Sequence, residues 1–142
     1  LKMDLSKKKV LDMGCGTGVL AILTEMKNAE NILAIDIDEW AYNNTIENVN
    51  RNNCKKIEVL KGEAELLNGK KFDVVIANIN RNVLLKDMEN YAKSLSPNGE
   101  ILLSGFFMSD KEILLEETKK YNLQLISSNQ KNDWILLHLK LD

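Results

Sequence analysis

Short apolar runs alternate along this chain with longer stretches in which apolar residues return every three or four positions. The first pattern suits strands buried on both faces, and the second suits helices with one apolar side. Strands are expected over 10–13, 31–36, 56–60, 72–78 and 100–105. Helices are expected over 18–28, with Leu20, Leu23 and Met26 at helical spacing, and over 39–52, with Trp40, Ile46 and Val49 facing inward. A third spans 83–94, where Leu84, Met88, Tyr91 and Leu95 follow one stripe. Asp38 stands where a cap opens the second helix, and Asp110 where one opens a further helix reaching about residue 121.

The connections complete the pattern. Lys61-Gly62-Glu63-Ala64-Glu65 leads through a short turn or helix to Lys70-Lys71, and Ser96-Pro97-Asn98-Gly99 reads as a turn. Two last runs, 123–128 and 134–139, are separated only by Asn129-Gln130-Lys131-Asn132-Asp133, too short for a helix. A hairpin is expected there, with the final strand antiparallel to its neighbour. Repeated strand–helix alternation implies right-handed crossovers and a mostly parallel sheet covered on both faces. The expected fold is α/β: a doubly wound, seven-stranded mixed sheet with an antiparallel last strand, in one domain spanning 1–142.

Composition narrows the picture only a little. At 142 residues, the chain has room for about one core. The net charge of −2, with lysines grouped as Lys7-Lys8-Lys9, Lys55-Lys56, Lys70-Lys71 and Lys119-Lys120, gives no basic stripe. These lysines read as solvated surface, and no direct nucleic-acid binding is expected. Cys15 and Cys54 match no metal or redox spacing, which points to a reducing compartment and away from a disulfide or metal site. No signal peptide and no apolar run near the roughly 20 residues of a membrane span are found, so the cytoplasm is expected and a membrane is not.

Candidate chemistry begins at Val10-Leu11-Asp12-Met13-Gly14-Cys15-Gly16-Thr17-Gly18. A strand, a glycine turn and a helix start bring free backbone N–H groups and a positive helix end to one point, with no Cβ in the way. Ligands of doubly wound sheets lie beyond the carboxyl ends of the strands. Asp36 ends the second strand, 18 positions past Gly18, where an acid can accept both hydroxyls of a ribose. Taken alone it would read as a loop acid. The G-x-G-x-G spacing is not the dinucleotide G-x-G-x-x-G, and no G-x-x-x-x-G-K-[ST] occurs. Asp12 would repel a pyrophosphate and suit an ammonium group. Ribose hydroxyls, an ammonium and a sulfonium together describe S-adenosylmethionine.

These residues, with Ile35-Asp36-Ile37-Asp38 and Gly62-Glu63-Ala64, resemble the class I S-adenosylmethionine-dependent methyltransferases over essentially the whole chain. Val75-Ile76-Ala77-Asn78-Ile79-Asn80, Leu102-Leu103-Ser104-Gly105-Phe106 and Asp133-Trp134 narrow the likeness. They resemble the catalytic domain of the bacterial enzymes that methylate the eleventh protein of the large ribosomal subunit, the PrmA family. The resemblance implies that Gly14 meets the methionine end of the cofactor, with Gly16, Gly18 and Ile37 also in contact. Asp36 would hold the ribose, and Glu63 and Ala64 would border the adenine. Asn78 would stand at the reacting centre and orient the amine. Asp12 would order the loop or touch the ligand's ammonium.

The partner implied is a ribosomal protein, methylated at lysine and α-amino groups. The family also uses a threonine upstream of the first strand and an amino-terminal recognition domain, neither of which lies in this sequence. Leu1 stands about ten residues before the first strand, so a carboxyl-terminal piece of a longer protein, or a processed start, is expected. Two other readings stay open: a methyltransferase for another acceptor, and a module that binds the cofactor without catalysis. Asn78-Ile79-Asn80 is not N-P-P-[YF], so the aromatic that stacks on a planar acceptor is missing. Arg81 receives no role, and His138, Trp40, Trp134 and the methionines read as packing or surface.

Overall fold

The apolar runs pair into a single sheet. The computed structural model of the chain describes residues 3–142, so Leu1, which prompts the expectation of an upstream segment, lies outside them. The elements are β1 (Lys9–Met13), α1 (Val19–Met26), β2 (Asn31–Asp36), α2 (Glu39–Arg51), β3 (Ile57–Lys61), β4 (Phe72–Asn78), α3 (Arg81–Lys93), β5 (Leu95–Phe107), α4 (Lys111–Lys119), β6 (Leu123–Lys131) and β7 (Trp134–Leu141). Single 3₁₀ turns at Ala64–Leu67 and Met108–Asp110 follow β3 and β5.

The sheet order is β3-β2-β1-β4-β5-β7-β6. All neighbours are parallel except β7, which runs antiparallel to both β5 and β6. The fold is thus the expected doubly wound mixed sheet of seven strands. Strand order reverses between β1 and β4, whose register runs from Val10↔Val74 to Met13↔Ala77. That pairing sets Gly14 beside Asn78, at the crevice where such sheets hold ligands.

Successive residues of each central strand feed opposite cores. Leu11, Leu33, Ile35, Val75 and Ala77 point to the larger core, with Leu84, Met88 and Tyr91 of α3 and Leu114 of α4. Val10, Ile32, Ala34, Val74 and Ile76 point the other way, with Ala21 of α1. Leu84, Met88 and Tyr91 are all without solvent exposure, as their spacing predicts. Truncating any one would remove packed volume at a cost of about 2–5 kcal/mol.

Four local expectations are corrected. In α2 the inward positions are Ala41, Thr45 and Val49, while Trp40 is 66% exposed. The phase is set by close approach: Thr45 packs beside Gly18 and donates its hydroxyl proton to Gly16 O at 2.8 Å, a contact for a short side chain. Asp110 does not cap α4; its carboxylate turns back to the Phe107 N–H and to Arg81. Ser96-Pro97-Asn98-Gly99 is a turn carried as a bulge within β5, since Phe72 pairs with Leu95 and Val74 with Glu100. The last hairpin turns on Asn132-Asp133 alone, and Asn129-Gln130-Lys131 continue β6. That edge strand is exposed at every position after Leu123, and its polar extension over 129–131 carries no apolar residue to mark it in the sequence. No helix among the described residues is long and apolar enough to cross a membrane.

Candidate active site

Four strand ends and the start of α3 shape a cavity of about 310 Å³. It is lined by Met13 and Gly14 after β1, Asp36 and Ile37 after β2, Gly62 and Glu63 after β3, and Asn78 to Asn80 after β4, with Val83, Lys86 and Asp87 of α3 as its remaining wall. Of the residues expected from sequence, Gly14, Asp36, Ile37, Glu63 and Asn78 line it directly. Asp12, Gly16, Gly18 and Ala64 are not part of this lining; Asp12, Gly18 and Ala64 are buried and Gly16 is partly exposed.

The glycine bend carries no Cβ at Gly14, Gly16 or Gly18, but the free N–H donors expected there are taken within the protein: Gly14 and Cys15 donate to Ile35 O, Gly16 to Asp36 and Gly18 to Cys15 O. Gly14 has φ +76, and a Cβ there would come within 2.9 Å of the Ile79 side chain. The N–H groups of Gly14 and Cys15 both donate to Ile35 O, at 2.8 and 3.0 Å, which pins the bend to the end of β2. Asp36 faces it: one carboxylate oxygen accepts the Gly16 N–H at 2.9 Å and the other the Asp38 N–H at 3.0 Å. Each carboxylate oxygen keeps a further lone pair for a ligand hydroxyl. Asp38 in turn accepts the Trp40 N–H at 3.1 Å and caps α2.

Asp12 lies beneath the bend, 1% exposed, and neither carboxylate oxygen has a hydrogen-bond partner that meets normal geometry. Burial pushes its pKa up to about 7; the Ala21 N–H pulls the other way, and the nearby Asp36 charge adds to the rise. Cys15 beside it is pushed up to about 11, by burial first, against a partial offset from its 3.4 Å contact with Thr45 Oγ1. That thiol is a packing group and not a nucleophile.

The far wall is mixed. Ile37 is 62% exposed and offers an apolar face. Glu63 pairs with Lys86 at 3.4 Å across the mouth. Asp87 is buried and its pKa is raised, chiefly by desolvation, with Lys86 opposing and Glu63 and Glu65 reinforcing. Ala64 opens a 3₁₀ turn, where its backbone N–H lacks a partner within the turn. Asn80 accepts the Val83 N–H at 3.1 Å and caps α3, fixing the loop that carries Asn78.

Several of these positions were not readable as functional. Gly105 (φ +96) lies under the Asn78 loop, where a Cβ would stand 2.8 Å from Ile79 N and O and 2.9 Å from Asn78 Oδ1. In the sequence it stands at the end of an apolar run and within the Leu102–Phe106 stretch that carries the family resemblance, with no role attached. Val83 and Asp87 share one helix face at i, i+4, a pattern that could have been followed one position off the apolar stripe. Trp134 is half exposed and its ring lies 4.5 Å from that of Phe107. His138 bonds Glu100 at 2.7 Å far from the cavity.

A doubly wound sheet with one reversed strand next to its last, and an open glycine bend facing an acid, is the architecture of the class I methyltransferases. The chain belongs to the family described as Ribosomal protein L11 methyltransferase (PrmA), whose model matches residues 2–142. A ribosomal protein L11 methyltransferase of Bacteroides fragilis is 47% identical over 135 residues, covering 94% of this chain and 48% of that protein. One from Porphyromonas gingivalis is 46% identical over 143 residues, 100% of this chain and 49% of that protein. The chain thus spans about half the length of the curated relatives it matches. Among solved structures, a ribosomal protein L11 methylase from Lactobacillus delbrueckii subsp. bulgaricus superposes with a TM-score of 0.91 at 24% identity, over 97% of this chain and 72% of the other.

Proposed function

We propose that this chain binds S-adenosylmethionine and forms the catalytic domain of a protein N-methyltransferase acting on a large-subunit ribosomal protein, at lysine and α-amino groups, in the cytoplasm. The observation that carries the reading is the open bend at Gly14 set against Asp36 across one cavity, in a chain of this family. The residues suit the cofactor. Asp36 has lone pairs to accept ribose hydroxyls, and Ile37 offers an apolar face to adenine. Glu63 and the Ala64 N–H present an acceptor and a donor to the edge of that ring. Gly14, with Gly16 and Gly18 shaping the bend, leaves main chain bare for the methionine end. Asp12, buried beneath the bend without a partner, is a carboxyl that an ammonium placed there would help to ionise.

When bound, S-adenosylmethionine supplies a methyl group on a sulfonium, activated for in-line displacement with a neutral leaving group. The protein's part is orientation. Asn78 offers its side-chain oxygen and backbone carbonyl to hold a neutral amine in line, and Gly105 keeps the space that lets it do so. A lysine acceptor, with a free pKa of about 10.4, must lose its proton first. That proton passes to solvent water as the ammonium sheds its hydration, and the Asn78 oxygens then accept the remaining N–H hydrogens and aim the lone pair.

The test is calorimetric titration with S-adenosylmethionine, followed by a methyl-transfer assay on large-subunit ribosomal proteins. Asp36→Ala should weaken cofactor binding about 10- to 100-fold, the range for lost hydrogen bonds to a charged group. A folded sample that binds nothing, or an Asp36→Ala variant that binds as well as the parent, would refute the reading.

A further inference from the structure

The loop after β4 lines the cavity, and the end of β5 packs against that loop from outside the lining, with Gly105 beside Asn78 and Ile79. Asn78 pairs in register with Ser104, and the Ile79 N–H donates to Ser104 O at 3.0 Å. Three residues beyond each partner stand Arg81, the first residue of α3, and Phe107, the last of β5. A single side-chain bridge ties these loops together. Arg81 Nη1 lies 3.1 Å from Asp110 Oδ1, and the other oxygen of Asp110 accepts the Phe107 N–H at 3.1 Å. Arg81 Nε donates to Asn82 Oδ1 at 3.3 Å, which holds the guanidinium plane in place. The Phe107 ring stacks near Trp134, and the Met108 N–H donates to Asp133 O at 2.8 Å. The bridge therefore reaches the tip of the final hairpin.

The Asp110 side chain is 13% exposed and that of Arg81 is 45% exposed. A half-exposed pair contributes little to global stability. This one also forgoes the helix cap that Asp110 would otherwise make on α4. A carboxylate that leaves its own helix end to bridge two loops acts on their spacing more than on the fold.

We infer that the Arg81–Asp110 pair is a positioning device that sets the spacing between the Asn78 loop and the neighbouring Phe107–Trp134 pair, and so fixes how an amine acceptor reaches Asn78. This rests on the methyltransferase reading above. Arg81 is not among the residues that line the cavity; it acts through the loops it joins. Removing it should leave the β1, β2 and β3 ends intact, since none of its partners lies there, and should disturb only the acceptor side.

The experiment uses the protein in its natural length, S-adenosylmethionine, and a purified large-subunit ribosomal protein. Arg81→Gln should raise the acceptor KM about tenfold, as misplacement near a reacting centre does, with the cofactor Kd changed less than about twofold. Arg81→Lys, which keeps the charge, should recover part of the loss. Asp110→Asn can still accept the Phe107 N–H but loses the ion pair; it should match Arg81→Gln, and the double variant should be no worse than either. Independently of activity, amide exchange at Phe107 should speed up in Arg81→Gln without cofactor. An unchanged acceptor KM, an equal loss of cofactor affinity, or unchanged Phe107 exchange would overturn the inference. If the parent transfers no methyl to any amine, the methyltransferase reading fails, and the exchange measurement still decides whether the brace exists.

Discussion

Asp12 shows how far one residue can be driven from its preferred state. A carboxyl with no partner and 1% exposure is better tolerated neutral, and its pKa is raised from 3.8 to about 7. The sign follows from linkage. Below pH 4 both folded and unfolded chains carry the proton. As pH rises, the unfolded chain releases it first, so stability falls until the folded group also ionises near pH 7. Asp12→Asn should therefore gain on the parent between pH 4 and pH 8, by up to about 4 kcal/mol at about 1.4 kcal/mol per pKa unit. Urea unfolding without cofactor at both pH values measures this, and a gap independent of pH would show that the carboxyl finds a partner or water.

At the same scale, legibility divides by distance along the chain. Gly14, Asp36 and Asn78 were readable because each ends a strand or directly follows one, so position in sequence fixed position at the crevice. Gly105, Asp87 and Asn80 were not. Gly105 matters because the Asn78 loop crosses it, Asp87 because α3 turns that face to Glu63, and Asn80 because it caps a helix expected to begin later. Such facts belong to tertiary contact, which no local pattern carries.

Elements were read well in kind and less well in phase. The helix over 39–52 exists, and Asp38 opens it as expected, yet bulk misled the choice of inward face. Trp40 is the largest residue of α2 and is mostly in solvent, because the helix lies too close to the glycine bend to admit it. The cap itself is a local feature and should behave as one. Asp38→Ala removes the acceptor of the Trp40 N–H and should lower stability by about 1 kcal/mol, seen as a lower thermal midpoint. No change in midpoint would mean that Asp36 and the α2 contacts hold the helix start unaided. In β5, proline and asparagine announced a turn, and the strand resumed on both sides of it, which periodicity alone does not reveal.

At the scale of the whole molecule, the sheet count and mixed direction were legible, but the placing of β7 between β5 and β6 was not, since adjacency is decided by long-range pairing. Charge shows the same limit. Lysines scattered through the sequence meet at the amino edge, where Lys9, Lys56, Lys70 and Lys71 line a hollow of about 350 Å³. The opposite edge is acidic: Asp36, Glu63 and Asp87 line the cavity there with Lys86 as the one basic side chain among its lining residues.

That acidic lining bears on turnover. The proposed donor arrives with one more positive charge than the thioether left after transfer, so the same carboxylates attract the incoming molecule and hold the spent one less firmly. Raising salt from roughly 0.05 M to 0.5 M should then weaken donor binding more than by-product binding, because only the donor carries the net sulfonium charge that the carboxylates attract. Equal salt slopes for the two in titration calorimetry would refute this. The cavity would thereby favour exchange of spent for fresh donor without any moving part.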